Sequence, residues 1–522
     1  MADRSKTLRT LASLGLALAA PSLVAADRAP APQPAATAAL RAGSCAALAQ
    51  TTFDAAVGAK VQILRSTEVA ASASLPAYCE VEARIAPAVT AMIQMPAVGA
   101  SGRLLVGGCW NLCGSTNLQR TADALARGYT VAQTDMGHRG EDIAFSDDPA
   151  AIDDFAWRAT HLATKLAKAL FASFYGQGPR YSYFRGCSTG GRQAITESLL
   201  FPDEFDGVIA GAPAHQMAAV NGVWALKSNT RADGTPILDE TAIRLLHKGA
   251  IAQCDGADGF KDGVIGNPLQ CSFRPAQIAC GAGGPAGQCL TPEQVTAADA
   301  IYGGVTTKAR RFYTSMGYAL GSELGWIDAF AGRNGQKPWG YHVAGNYMHR
   351  FKDLPDAPRT VQDLDFDRYP VRMTRVEAIP SFGSEPMLLN RFAQAGGKMI
   401  VYAGWADEAL TPATTLDFVA EQKTAMGGAA ALDPFLRLYM VPGYGHCGGG
   451  EGAGEIDLLS ALENWVEKGQ APGTLAAYRL KAPSTGGIPT RFPIPAKAVR
   501  YQRMLTPFPL DALPPLAVKP AS

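Results

Sequence analysis

Beyond its first 26 residues this 522-residue chain has no apolar run long enough to cross a bilayer. It also lacks an excess of either charge: 47 Lys and Arg stand against 46 Asp and Glu, a formal net charge of +1. No basic stripe is built, so a nucleic-acid partner is not expected. Charged residues make up only 18% of the composition and hydrophobic residues 47%, which fits a globular chain with a large core and more than one domain. The ten cysteines include no C-x-x-C pair and no Cys/His cluster with zinc-ligand spacing; Cys109 and Cys113 come nearest. With zinc disfavoured, the even count points to disulfides and an oxidising compartment.

Residues 1–26 read as a cleavable signal peptide. Arg4, Lys6 and Arg9 form a basic start, Leu11 to Val24 an apolar run interrupted by Pro21, and Val24-Ala25-Ala26 a small-residue cleavage site. Its removal takes away three basic groups and one acidic group, turning the net charge from +1 to −1. A secreted or periplasmic protein with no membrane segment is expected. Residues 27–43, rich in Ala and Pro, read as a flexible start to the mature chain.

Apolar stretches at Val61–Leu64 and Val89–Ile93 suggest an antiparallel beginning. Strand and helix signals then alternate: Arg103–Val106, a helix over Thr121–Gly128, Thr130–Thr134, a long amphipathic helix over Phe155–Phe174, Tyr181–Arg185, a helix over Gly191–Leu200, and Val208–Ala210. That alternation predicts an α/β, doubly wound, mostly parallel sheet. From Ala214 to about residue 386 the pattern breaks into interrupted helical stretches, glycine-rich loops and the tryptophans Trp224, Trp326 and Trp339. This region reads as an insertion. Sheet character resumes at Lys398–Tyr402 and Leu436–Met440, a helix over Leu458–Lys468 closes the core, and the proline-rich tail after Thr506 is expected on the surface.

Gly186-Cys187-Ser188-Thr189-Gly190 lies between a strand and a helix. A serine on such a turn, with glycine two residues to either side, is the nucleophile-elbow pattern of α/β-hydrolases. That fold orders its triad as nucleophile, acid, histidine, with the groups beyond the carboxyl ends of strands. Asp407, after Lys398–Tyr402, and His446, after Leu436–Met440, stand at those places. The stretch from Ser188 to Asp407 is too long for an uninterrupted core, and the insertion of 214–386 accounts for the excess. The expected catalytic residues are therefore Ser188, Asp407 and His446. The backbone amide of Thr189, and that of Gly108 after an early strand, are the expected oxyanion donors.

Cys187 precedes Ser188, and Cys447 follows His446. A Cys187–Cys447 disulfide would bring their Cα atoms to roughly 5.5–6 Å and set nucleophile and base side by side. The rival is Cys187 as a thiol nucleophile, disfavoured because the elbow position belongs to Ser188.

These residues resemble the tannase and feruloyl esterase family, whose pattern is Cys-Ser, then Asp, then His-Cys, with a disulfide joining the two halves of the site. Gly186 to Arg192, Gly404-Trp405-Ala406-Asp407, His446-Cys447 and Phe201 to Ala214 carry the resemblance, which spans roughly Cys45 to Tyr501. It implies an α/β-hydrolase catalytic domain over 27–213 and 387–522, with a lid domain over 214–386. It also implies a carboxylic ester hydrolase acting on esters of aromatic acids. Feruloyl or hydroxycinnamoyl esters are favoured, with galloyl esters (tannase) or terephthalate monoesters as alternatives. The resemblance further implies a structural Ca2+ held by Asp255, Asp258 and Asp262 with the carbonyls of Phe260 and Val264. Spacing alone makes that segment a solvated Asp-Gly turn, not an EF-hand. On the same footing Cys254–Cys271 would staple the loop, Cys280–Cys289 the next one, and Cys45–Cys79 the N-terminus, with Cys109–Cys113 a short clip. No organic cofactor is expected, and nothing specifies an oligomeric state.

Several residues are read as structural. His138 is expected to be a loop histidine, and Asp147-Asp148 and Asp153-Asp154 solvated surface. A bound carboxylate would need an arginine, for which Arg244, Arg310, Arg311, Arg333 and Arg350 are the candidates. A reading of a different class is a non-catalytic, calcium-stapled binding module for phenolic or carbohydrate ligands.

Overall fold

The computed structural model describes residues 40, 42–214, 219–281, 287–305, 316–349, 351–367, 388–482 and 489–513. Residues 1–26, expected to be a signal peptide, most of 27–43, parts of 214–386 and the last residues of the tail lie outside them. All described residues belong to one compact unit beginning at Leu40.

Nine strands form one sheet: β1 Val61–Val69, β2 Tyr78–Ile85, β3 Val89–Pro96, β4 Arg103–Gly107, β5 Thr130–Thr134, β6 Tyr181–Cys187, β7 Gly207–Gly211, β8 Lys398–Gly404 and β9 Leu436–Val441. Their spatial order is β1-β2-β3-β5-β4-β6-β7-β8-β9. The pairs from β1 to β3, and β3 with β5, are antiparallel. Every pair from β5 to β9 is parallel. The central strands read as continuous apolar runs because helices cover both faces. Successive residues enter opposite cores, as the period of two requires. Phe184, Val208, Ala210, Met399 and Val401 join the core that contains Leu166 and Leu170 of helix Ala159–Tyr175. Tyr183, Ile209 and Ile400 join the one that contains Leu462 and Trp465 of helix Leu458–Lys468. That closing helix buries Leu458, Leu459, Ala461, Leu462 and Trp465, a single stripe at helical spacing. Asp457 caps it, accepting from the amide of Ser460 at 3.1 Å, and Gly469 ends it at φ 70°.

Between β7 and β8 the chain builds a third apolar cluster entirely from residues between Val220 and Phe366. Its main helices are Ala219–Ser228, Glu240–Cys254, Pro292–Gly303 and Gly340–His349. β10 Glu455–Ile456, just before the closing helix, and β11 Leu475–Leu480 and β12 Val499–Leu505, after it, form a small antiparallel sheet. This sheet is absent from the sequence reading, which treats the region only as the approach to a surface tail.

Candidate active site

β6 ends at Cys187 and helix Thr189–Leu200 starts at the next residue but one, so Ser188 alone makes the turn. Its backbone sits at φ 62°, ψ −123°, a conformation costing a non-glycine residue on the order of 1–3 kcal/mol. Three hydrogen bonds hold it there. Ser188 N–H donates to Gly211 O at 2.9 Å, while Ser188 O accepts from the amides of Arg192 and Ala214, each at 3.0 Å. Glycine at 186 is obligatory, since a Cβ there would fall 2.2 Å from Gly190 O.

Thr189 begins the helix, so its N–H has no acceptor one turn earlier and is free to meet an anion. Gly108 does not supply the second amide. Its N–H donates to Arg185 O at 2.9 Å, extending the β4–β6 ladder, and Cys109 N–H is taken by Gln193 Oε1 at 2.9 Å. Gly108 is glycine for another reason: a Cβ would meet Gly190 Cα at 2.6 Å, where the elbow packs against β4. The next residue, Trp110, lines the cavity beside Ser188, and its ring lies 5.6 Å from that of His446.

Asp407 follows β8 and is 1% exposed. Its Oδ1 accepts the amides of Ala409 and Leu410 at 2.9 and 2.7 Å, which fixes the carboxylate and presents Oδ2 to His446 Nδ1 at 2.8 Å. A carboxylate at Nδ1 selects the tautomer that leaves Nε2 as the acceptor. The Cys187–Cys447 disulfide forms, with Cα atoms 6.0 Å apart. It excludes Cys187 as a thiol nucleophile in this structure. The other eight cysteines pair as Cys45–Cys79, Cys109–Cys113, Cys254–Cys271 and Cys280–Cys289.

Burial pulls the His446 pKa down, but the charge and hydrogen bond of Asp407, with Glu408 adding to them, carry it above the ordinary 6.5. Burial, then the charge of Asp407, pushes the Glu408 carboxyl up, and Glu408 Oε2 accepts the His446 amide at 3.3 Å. A base must be neutral to act, so the acid limb of kcat/KM is expected above pH 6.5. Any stability from the protonated imidazole has the opposite course: it is complete below 6.5 and lost as pH rises through the folded pKa. A pH–rate profile whose limb falls well below 6.5 would contradict this assignment.

Ser188 and His446 open onto one cavity of about 400 Å³. Its walls are mainly apolar and aromatic, with Trp110, Phe155, Trp339 and Leu410 prominent. A larger cavity of about 740 Å³ has Cys187 and Cys447 in its wall but reaches neither Ser188 nor His446. Of the two, the smaller holds both Ser188 and His446.

The sequence matches the family described as "Tannase and feruloyl esterase" over residues 73–513. The chain belongs to this family. A mono(2-hydroxyethyl) terephthalate hydrolase from Piscinibacter sakaiensis is 30% identical over 513 residues, covering 84% of this chain and 83% of that protein. Feruloyl esterase C of Talaromyces stipitatus is 31% identical over 397 residues, covering 71% and 72%. The crystal structure of feruloyl esterase B from Aspergillus oryzae superposes with a TM-score of 0.74 at 25% identity, covering 86% of this chain and 93% of that one. The fold is that of α/β-hydrolases, and the protein is a carboxylic ester hydrolase. Membership removes the alternative of a non-catalytic binding module.

Other parts of the esterase can now be placed. In the acidic loop, Asp255 Oδ1 accepts the amides of Asp262, Gly263 and Val264 at 3.1, 3.1 and 3.2 Å. Asp258 and Asp262 pair with Arg503, whose guanidinium lies 4.5 Å over the ring of Phe260. Three carboxylates thus face one ion-paired guanidinium among the described residues. Burial raises the Asp262 pKa; Arg503 opposes the rise, and the charges of Asp255 and Asp258 add to it. Hard oxygen donors with surplus negative charge fit a divalent cation.

His138 is structural: Nε2 bonds Leu112 O at 2.7 Å and its ring stacks on Phe145 at 4.0 Å. Asp154 is a correction. It is 1% exposed, not solvated, and pairs with Arg158 one helical turn on at 2.5 Å. The tryptophans divide by packing: Trp326 is fully buried, Trp224 donates to Ala300 O at 2.9 Å, and Trp339 is 38% exposed in the cavity wall. Arg244 pairs with Glu240, and Arg333 with Asp328 and Glu240. Neither lines the cavity; Arg310, Arg311 and Arg350 lie outside the described residues.

Proposed function

We propose that this protein is an exported serine esterase that hydrolyses hydroxycinnamoyl-type aromatic esters through an acyl-enzyme. The observation carrying the mechanism is the Asp407–His446 hydrogen bond, with His446 opening onto the same cavity as Ser188. His446 Nε2 takes the Ser188 proton as Oγ attacks the ester carbonyl carbon. The resulting oxyanion is held by the Thr189 amide and, in place of Gly108, the Trp110 amide; one such donor is worth about 2.7–4 kcal/mol of barrier. Collapse expels the alcohol, which receives the proton from His446. Water then attacks the acyl-enzyme with His446 again as base, releasing the acid and restoring Ser188. The leader pattern and five disulfides support export.

The cavity walls favour a neutral acyl group. Arg192 is the described cation among the lining residues; its guanidinium sits 4.5 Å over Phe155 and donates to the carbonyls of Phe155 and Ala156. Glu408, lining the same cavity, offers no positive charge to a second carboxylate on the substrate. A panel of methyl ferulate, methyl gallate and mono(2-hydroxyethyl) terephthalate tests this. The expected order of kcat/KM puts the feruloyl ester first, and a clear preference for the terephthalate monoester would overturn it. We also assign a structural Ca2+ to the acidic loop, with Asp255, Asp258 and Asp262 and the carbonyls of Phe260 and Val264 as its ligands. Chelation should lower the melting temperature, and coincident melting curves with and without chelator would contradict it.

A further inference from the structure

The helix that starts at the nucleophile carries a second cluster at its other end. Glu197 of that helix meets His161 of helix Ala159–Tyr175 and Glu204 of the loop before β7. One donor atom from each lies within 4.8 Å of the others. His161 Nδ1 is 2.8 Å from Glu204 Oε1, without the alignment of a hydrogen bond. Glu197 is fully buried and neither of its carboxylate oxygens meets an N–H or O–H donor; burial, then the charge and hydrogen bond of the neighbouring Glu204 carboxyl, raise its pKa, and Glu204 Oε2 is likewise buried without such a donor. Buried carboxylate oxygens are costly without a donor or a cation. Lys168 acts on Glu197 through its charge, yet its ammonium donates to the backbone carbonyl of Glu204, not to either carboxylate. The ring of Phe201 stacks 3.7 Å from that of His161 at 13°, holding the imidazole plane.

We propose that His161, Glu197 and Glu204 form a buried divalent-cation site. Two carboxylates balance the charge of such an ion. The imidazole selects a borderline ion of the Zn2+ kind over Ca2+ or Mg2+, which prefer oxygen alone. The site is structural: Glu197 lies about 12 Å along the helix axis from Thr189 at 1.5 Å per residue. Its ion ties together the helix behind Ser188, the long helix over the sheet, and the entry to β7.

The test uses the full chain without an affinity tag, stripped with chelator and then exposed to Co2+ or Zn2+. One Co2+ per chain is expected, with a visible ligand-field band that stoichiometric Zn2+ abolishes and excess Ca2+ leaves unchanged. Both Glu197→Gln and His161→Asn should lose the band; His161, at a partly exposed position, guards against misfolding of the Glu197 variant. Asp258→Asn in the acidic loop should keep it. Absence of metal binding by the wild-type chain would overturn the proposal. So would an infrared carboxylic-acid band that Glu197→Gln removes, which would show a proton shared between Glu197 and Glu204 instead. A Co2+ band that persists in both variants would place the ion elsewhere and overturn it equally.

Discussion

Replacing Ser188 by alanine is expected to lower kcat on a hydroxycinnamoyl ester by about 10⁴- to 10⁶-fold with the fold intact. The hydroxyl is the only atom removed, and alanine occupies the same strained backbone position at the same cost. The elbow is held by backbone contacts: Ser188 N–H to Gly211 O, and Ser188 O to the amides of Arg192 and Ala214. The melting curve should therefore change little. No neighbouring group can substitute, because the adjacent Cys187 is bonded to Cys447. The remaining rate should come from substrate binding and the oxyanion donors. Loss of less than tenfold would mean that another residue attacks the ester.

Asp407→Asn is expected to cost about 10⁴-fold in kcat at neutral pH. The local hydrogen bonds decide how the asparagine sits. The amides of Ala409 and Leu410 both point at the Oδ1 position, so the asparagine must put its carbonyl oxygen there. Its NH2 then faces His446 Nδ1, which has to become the acceptor. The ring proton moves to Nε2, the atom needed as base, and the histidine is held in the wrong tautomer. Removing the Asp407 charge also removes the principal influence that raises the His446 pKa, so the acid limb of what activity survives should move to lower pH. A variant within tenfold of wild type, or one whose limb moves upward, would contradict this geometry.

Most of what is chemically decisive was legible because it is written locally. The strands β4, β7 and β8 carry uninterrupted apolar runs at Leu104–Val106, Val208–Ala210 and Met399–Ala403, and β6 and β9 are apolar but for Ser182, Arg185 and Arg437. The elbow has its own glycine spacing, and strand order alone singles out Asp407 and His446. Cys187 and Cys447 mark the nucleophile and base by adjacency. What escaped depends on contacts between distant segments. Gly108 follows a strand as an oxyanion donor should, but whether its N–H is free depends on Arg185 across the ladder. Asp154 looks like surface until Arg158 is placed one turn away and Gly137 packs against its carboxylate. Trp326 and Trp339 are alike in sequence, and only packing puts one in a core and the other in the cavity wall. His161, Glu197 and Glu204 belong to no spacing motif and meet only because two helices and a loop converge on one side of the sheet.

The central claim is that Ser188 carries the acyl group. Mass spectrometry of the folded, disulfide-intact chain after reaction with a fluorophosphonate probe tests it most directly. One adduct is expected, on the peptide containing Ser188, with a matching loss of esterase activity, and none on Ser188→Ala. An active chain that takes up no probe at Ser188, or that is inactivated by modification elsewhere, would contradict it.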